Sequence, residues 1–203
     1  MNEPNLGTME LMTTIPRSEA KAQFDFWTKQ LNLKHAFSFE EVYDMMMERR
    51  IAREQQIEFR SFITAVEKKL EQIPGTQHGN CHPLTHSFAD GMYIRQLTVP
   101  AQTLTVTKIH AKDNPFFLLK GTMTMLTEKG EVKITAPYWG ITKAGTKRII
   151  WHHDEVLFCT VHRCDSINID GAEEEITAKN FEEVDNRIEQ KRIADFLKLM
   201  KER

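Results

Sequence analysis

Met92-Tyr93-Ile94-Arg95-Gln96-Leu97-Thr98-Val99, a turn at Pro100-Ala101, then Thr103-Leu104-Thr105-Val106-Thr107-Lys108-Ile109-His110: this stretch decides the fold. Short apolar runs with a two-residue period, broken by Gly and Pro, are the pattern of half-buried strands. The pattern continues through Phe116–Leu126, Glu131–Thr135, Tyr138–Thr142, Lys147–Trp151 and Val156–His162. Breaks fall at Lys112–Pro115, Glu128–Gly130, Ala136-Pro137, Lys143–Gly145 and His152–Glu155. Many short strands at regular spacing predict an all-β sandwich or barrel.

The flanks have a different period. From Arg17 to Ile73 the apolar residues recur at three- and four-residue steps: Phe24, Trp27 and Leu31, then Phe59, Phe62, Ile63, Val66, Leu70 and Ile73. Ser38 with Glu41 makes a capping box that starts a helix at Phe39, and Pro74-Gly75 ends the zone. With neither Gly nor Pro between Ser38 and Pro74, one long helix and a kinked pair are both open. An apolar stripe of this kind needs a partner surface, either the barrel or a second subunit. Asp165 to Ala178 is acidic and reads as a surface connection. Asn180 with Glu183 opens a C-terminal helix to about Lys201, with Val184, Ile188, Ile193, Phe196, Leu197 and Met200 on its buried face. The expected organisation is a flexible N-terminus over 1–16, a helical region over 17–75, a barrel over 82–165, and a connection plus helix over 166–203.

Composition narrows the function classes. The chain has 203 residues, 40% of them hydrophobic, which suffices for a sizeable core. Lys+Arg 27 against Asp+Glu 29 gives a net charge of -2, which argues against a nucleic-acid or membrane-surface binder. No apolar run approaches the roughly 20 residues of a membrane span, and Met1 to Ile15 lacks a signal-peptide pattern. The three cysteines show no CxxC spacing and read as free thiols in a reducing compartment, hence the cytoplasm.

Two segments carry a family resemblance. The first is Lys108-Ile109-His110-Ala111-Lys112-Asp113-Asn114 with Gly121 beyond it; the second is Gly140-Ile141-Thr142-Lys143-Ala144-Gly145-Thr146-Lys147-Arg148-Ile149-Ile150-Trp151-His152. They resemble the two motifs of the cupin superfamily, which implies a double-stranded β-helix, or jelly-roll barrel, here flanked by N- and C-terminal helices. In metal cupins two His and a Glu of the first motif and a His of the second ligate one ion. Here Lys108 stands at the first His, His110 keeps the second, Asn114 replaces the Glu and Arg148 the last His, while Lys143 and His152 replace the motif's Pro and Asn. An ammonium and a guanidinium would repel a divalent cation, so the resemblance implies a degenerate metal site and no cofactor. The run Pro83 to Arg95, with Lys108-Ile109-His110 and Gly145-Thr146-Lys147-Arg148, is similar to a group of small cupin-domain proteins encoded mainly by phages and prophages. In that group a His is frequent at Asn114 and a Pro at Lys143, and this chain departs at both.

Strand alternation puts Leu104, Val106, Lys108 and His110 on one face, which in the cupin register is the inner one. Lys108, His110, Asn114, Arg148 and His152 then form a ligand-binding set with donors for a carboxylate or phosphate. The alternative is that Lys108 and Arg148 turn outward or pair with Asp113, Asp154 or Glu155. A metal site built from His86, His110 and His152 needs the fold to gather them. No Ser-His-Asp or Cys-His grouping stands out, and Asn114 cannot ionise, so a carboxylate pair is absent from the motif positions. The expectation is a non-catalytic phage- or prophage-type protein that binds a small anion. It works as a homo-oligomer or with a phage protein, in host cytoplasm or virion. An assembly module and a metal-dependent isomerase or oxygenase are the alternatives.

Overall fold

A computed structural model of the chain describes residues 16–30 and 38–201, with the side chains of Trp27, Gln30, Phe196, Leu199, Met200 and Lys201 excepted. The expectations for the 1–16 terminus, for the faces of Trp27, Leu31, Phe196 and Met200 therefore lie outside the described residues. The chain divides into two compact units, Met1–Glu58 and Phe59–Arg203.

The first unit contains α1 (Arg17–Gln30) and most of α2 (Phe39–Leu70). The capping box forms as its spacing dictates: the Ser38 backbone N–H donates to Glu41 Oε2 at 3.0 Å and the Glu41 N–H to Ser38 Oγ at 3.2 Å. Ala20, Phe39 and Met46 are buried there, with Phe24, Val42 and Tyr43 packed on them. Of the two possibilities for the Ser38–Pro74 stretch, the single helix is found.

The second unit is built on strands β1 (Leu84–Ala89), β2 (Met92–Val99), β3 (Thr103–Val106), β4 (Ile109–His110), β5 (Asn114–Lys120), β6 (Thr122–Thr127), β7 (Gly130–Thr135), β8 (Tyr138–Thr142), β9 (Ile149–His152) and β10 (Val156–Arg163). Then come α3 (Ile169–Ile176), β11 (Thr177–Ala178) and α4 (Phe181–Lys201). A five-stranded sheet runs β1-β2-β10-β5-β8, a four-stranded sheet runs β3-β9-β6-β7, and β11 pairs with β4. From β2 to β10 the chain passes repeatedly between the two larger sheets, the winding of a double-stranded β-helix. Phe116, Leu118 and Val156 of the first sheet meet Met123, Met125, Ile134 and Ile150 of the second in one buried cluster. The fold is therefore mainly β with flanking helices.

The strand expected over Phe116–Leu126 is two strands. Gly121, at φ +88°, turns the chain between them, and a Cβ there would lie 2.4 Å from the Glu155 carbonyl oxygen. The connection expected over Asp165–Ala178 is instead α3 and β11. Asn168 caps α3 by accepting from the Gly171 N–H at 2.9 Å. Ala172 and Ile176, four apart on one face, bury against Tyr93 and Cys164. In α4, Asn180 Oδ1 accepts from the Glu183 N–H at 2.8 Å, and Glu183 accepts from the Lys179 N–H at 2.8 Å. Val184 is buried and Ile188 packs beside it, but Ile193 and Leu197 are exposed, contrary to the expected stripe.

Candidate functional site

Strands of the five-stranded sheet change character along their inner faces. On β5, Asn114, Phe116 and Leu118 are all buried; on β10, Val156, Thr160 and His162 are. Leu118 and Val156 belong to the apolar cluster, whereas Asn114 and His162 lie toward the other end of their strands. There His162 pairs in register with Tyr93 of β2, Thr160 with Arg95, and Asn114 with Thr142 of β8.

His110 and Arg148 come to this end from outside the five-stranded sheet. The His110 N–H donates to the Thr146 carbonyl at 3.0 Å and the Gly145 N–H to the His110 carbonyl at 2.7 Å. The Arg148 N–H donates to Thr107 Oγ1 at 3.0 Å. These bonds tie the two motif segments side by side. The rings of His110 and His162 stack, with centroids 6.1 Å apart and planes at 8°. The Tyr93 ring lies 6.2 Å from that of His162, and its hydroxyl is 2.6 Å from His86 Nδ1. Arg148 donates through Nη1 to Thr142 Oγ1 at 3.0 Å and lies over the Phe116 ring.

The cluster is buried and positively charged. Burial, then the nearby His162, Arg148 and Arg95, holds His110 down at about 3. Burial, then Arg95 and Lys112, holds His162 at about 4. Both imidazoles are neutral near neutral pH, which leaves the guanidinium groups as the site's charges. Burial lowers the Arg148 pKa, with Glu128 acting in the opposite sense. Several buried polar atoms here have no protein hydrogen-bond partner: Arg95 Nε, His110 Nδ1, Asn114 Oδ1, Arg148 Nε and His162 Nδ1. Buried polar groups are ordinarily paired, so this concentration at one end of the interior is unusual.

Of the expected set, the structure brings together His110, Asn114 and Arg148. Lys108 is elsewhere: its side chain is 48% exposed and its ammonium donates to Glu173 at 2.7 Å. The expected inward register of Leu104 and Lys108 is corrected here, because β3 and β4 are separate strands with different partners. In β3 it is Thr105 that reaches His152, while β4 pairs with β11, and alternation does not carry across the break. His152 is buried, but it ends β9, four residues beyond Arg148, which just precedes that strand, and it is held by Thr105 Oγ1 at 3.1 Å. Four residues of strand are about 13 Å, too far to join the cluster. Sequence reasoning passed over His162, Tyr93 and Arg95. A signal was present: Thr160 and His162 are in phase with Val156, so a histidine sits on a strand face that must be buried.

Around this cluster, α3 and β11 pack over Tyr93 and His110. Lys112 is paired with Glu175. Burial pushes the Glu175 carboxyl up, but hydrogen bonds from Lys112, Cys164 and the Asp165 and Ser166 amides outweigh it and hold it at about 2.

Of the four positions picked out by motif spacing, only His110 carries an imidazole, and Arg148 sets a guanidinium near it. Among the described residues no group of three or more His, Cys, Asp or Glu side chains is placed to hold a metal. Among them, too, no helix is long and apolar enough to cross a membrane.

No protein-family model matches the chain. No curated protein is significantly similar to it. Among solved structures it is similar to a cupin-2 domain containing protein from Shewanella frigidimarina, at 11% identity over 48% of this chain and 91% of that one, with a TM-score of 0.35. It is similar to a cupin superfamily protein from Desulfitobacterium hafniense, at 10% identity over 47% and 87%, with a TM-score of 0.37. A third is an RmlC-like cupin family protein with a double-stranded β-helix fold from Methanocaldococcus jannaschii, at 13% identity over 44% and 85%, with a TM-score of 0.36. Likeness at this level says nothing of activity; the double-stranded β-helix is read from this chain's own strand order.

Proposed function

We propose that the protein is a cupin of the small phage or prophage type that binds a small anion at the polar end of its β-helix. Arg148 is the principal charge, with Arg95, His110, Asn114 and His162 around it. The observation that carries this reading is the set of buried, unpartnered polar atoms on these side chains, two of them on guanidinium groups. Each such atom costs on the order of 1–3 kcal/mol when left unpaired, and burial of the Arg148 guanidinium adds a desolvation cost that Glu128 only partly offsets. An anion among them offsets both. Binding fits better than catalysis, because imidazoles held at about 3 and about 4 are weak bases at neutral pH. Titration of the full chain with inorganic phosphate and small carboxylates in a calorimeter tests the reading. Micromolar to millimolar binding is expected, weakened at least about 30-fold in Arg148→Met with the fold retained. No binding by the native chain, or equal binding by R148M, would sink it.

A second reading, assembly with another copy of the chain, is favoured by the outer face of the same sheet. Trp139, 68% exposed, lies opposite Phe117, and the exposed Ile141 lies opposite Pro115 on β8 and β5. An apolar sheet surface of this kind is ordinarily covered. Sedimentation of the native chain as a dimer or larger, and of Trp139→Glu as a monomer, is expected; a native monomer at micromolar concentration rules it out.

A further inference from the structure

We infer that the anion bound at this end is a carboxylate bearing its own hydroxyl group; the inference rests on the anion-binding reading above and names the ligand class. Three of the unpartnered atoms have fixed hydrogen-bonding roles. Arg95 Nε and Arg148 Nε can only donate. A carboxylate has two oxygens that can accept from both, although Arg95, half-buried, also donates through Nη2 to Asn80 Oδ1 at 2.8 Å. Asn114 is different. Its Nδ2 donates to the Pro115 carbonyl at 3.1 Å, which fixes the amide orientation, since the reverse would set two oxygens against each other. Its Oδ1 is therefore a committed acceptor, on a side chain 1% exposed, with no donor from the protein.

The neighbouring groups do not supply that donor. Thr142, opposite Asn114 in register, accepts from Arg148 Nη1 and leaves Oδ1 unpaired. The two imidazoles are neutral and each can donate or accept through Nδ1, so they tolerate either kind of ligand atom. A plain carboxylate offers only acceptors. It satisfies the guanidinium donors and leaves Asn114 Oδ1 buried and unpaired. A hydroxy acid satisfies both, because its O–H donates to Asn114 while the carboxylate accepts from the arginines. Sites built around a buried hydrogen-bonding group discriminate strongly against analogues that lack the matching group.

The experiment is a calorimetric titration of the full chain with paired acids of equal carbon number: propionate against lactate, and succinate against malate. In at least one pair the hydroxy acid is expected to bind about tenfold tighter or more. Asn114→Leu is expected to abolish that difference. Equal affinity within both pairs overturns the inference while leaving anion binding intact, as does inorganic phosphate binding more tightly than either hydroxy acid. An undiminished preference in N114L overturns the role of Asn114. If no anion binds at all, the anion reading fails and this inference with it. Should N114L not fold, the native comparison alone decides.

Discussion

The two ends of the β-helix interior share strands β5 and β10 and are opposite in character. One holds Leu118, Val156, Met123, Met125 and Ile150 in a cluster drawn from both sheets. The other holds the buried Asn114, Arg148 and His162 with the half-buried His110, and their buried polar atoms lack protein partners. A chain selected for stability alone would extend the first pattern, since apolar residues of similar volume remove the desolvation cost. Retaining the second lowers stability, a cost that the proposed anion would offset. The apolar end should therefore respond to mutation as a core and the polar end as a site.

The largest expected effect is at the apolar end. Leu118→Ala removes a fully buried side chain from the centre of the cluster and should destabilise the second unit by about 2–5 kcal/mol, read as a fall in the urea midpoint at unchanged slope. At the polar end Arg148→Met should leave neutral-pH stability unchanged or raise it by up to about 2 kcal/mol, because it removes a buried cation with an unpaired Nε. Were R148M to cost as much as L118A, the contrast between the ends would collapse, and Arg148 would be a structural group rather than a binding one.

The next effect separates the ends by pH. His110 and His162 are held at about 3 and about 4 in the fold, below an ordinary histidine near 6.5. Between these values the unfolded chain takes up protons that the folded chain refuses, so stability is complete above about pH 6.5 and falls as pH drops toward 4. His152, held at about 4 by burial, contributes to the same fall, so replacing His162 by Phe should flatten it by removing one of three groups, as measured by urea midpoints from pH 7 to pH 4.5. An unchanged slope in H162F means that the ring is already protonated or solvated in the folded protein. Glu175, held low at about 2, contributes its own loss only at more acid pH, so the two windows are distinguishable.

What the sequence disclosed follows the same division. β2 and β8 have the expected limits, because alternation within one strand is set by burial on one side. Both capping boxes form, because their chemistry is local. α3 and β11 were illegible: Ala172 and Ile176 are too few apolar positions among Asp170, Glu173, Glu174 and Glu175 to stand out from a surface connection. His110, Asn114 and Arg148 were found through motif spacing, which survives substitution. Lys108 was misplaced, because a break of two residues, Thr107 and Lys108, separates strands that pair with different sheets. His162 was missed because its importance lies in a contact with His110 across the interior, a distance in sequence that no periodicity spans.

Lys108 supplies the smallest effect and the sharpest check on where the polar end stops. In motif spacing it stands beside His110; in space its ammonium reaches the α3 carboxylate of Glu173, which also accepts from Asn80 Nδ2 at 2.7 Å. A half-exposed pair of this kind is worth at most about 1 kcal/mol and weakens with salt. Lys108→Ala should therefore shift the urea midpoint slightly and leave the affinity for small carboxylates within about twofold, whereas R148M weakens it at least about 30-fold. If K108A instead loses binding as completely as R148M, the Glu173 pair must open when the ligand arrives. The polar end would then extend outward to the α3 contact, and the ammonium would join the guanidinium groups as a ligand to the anion.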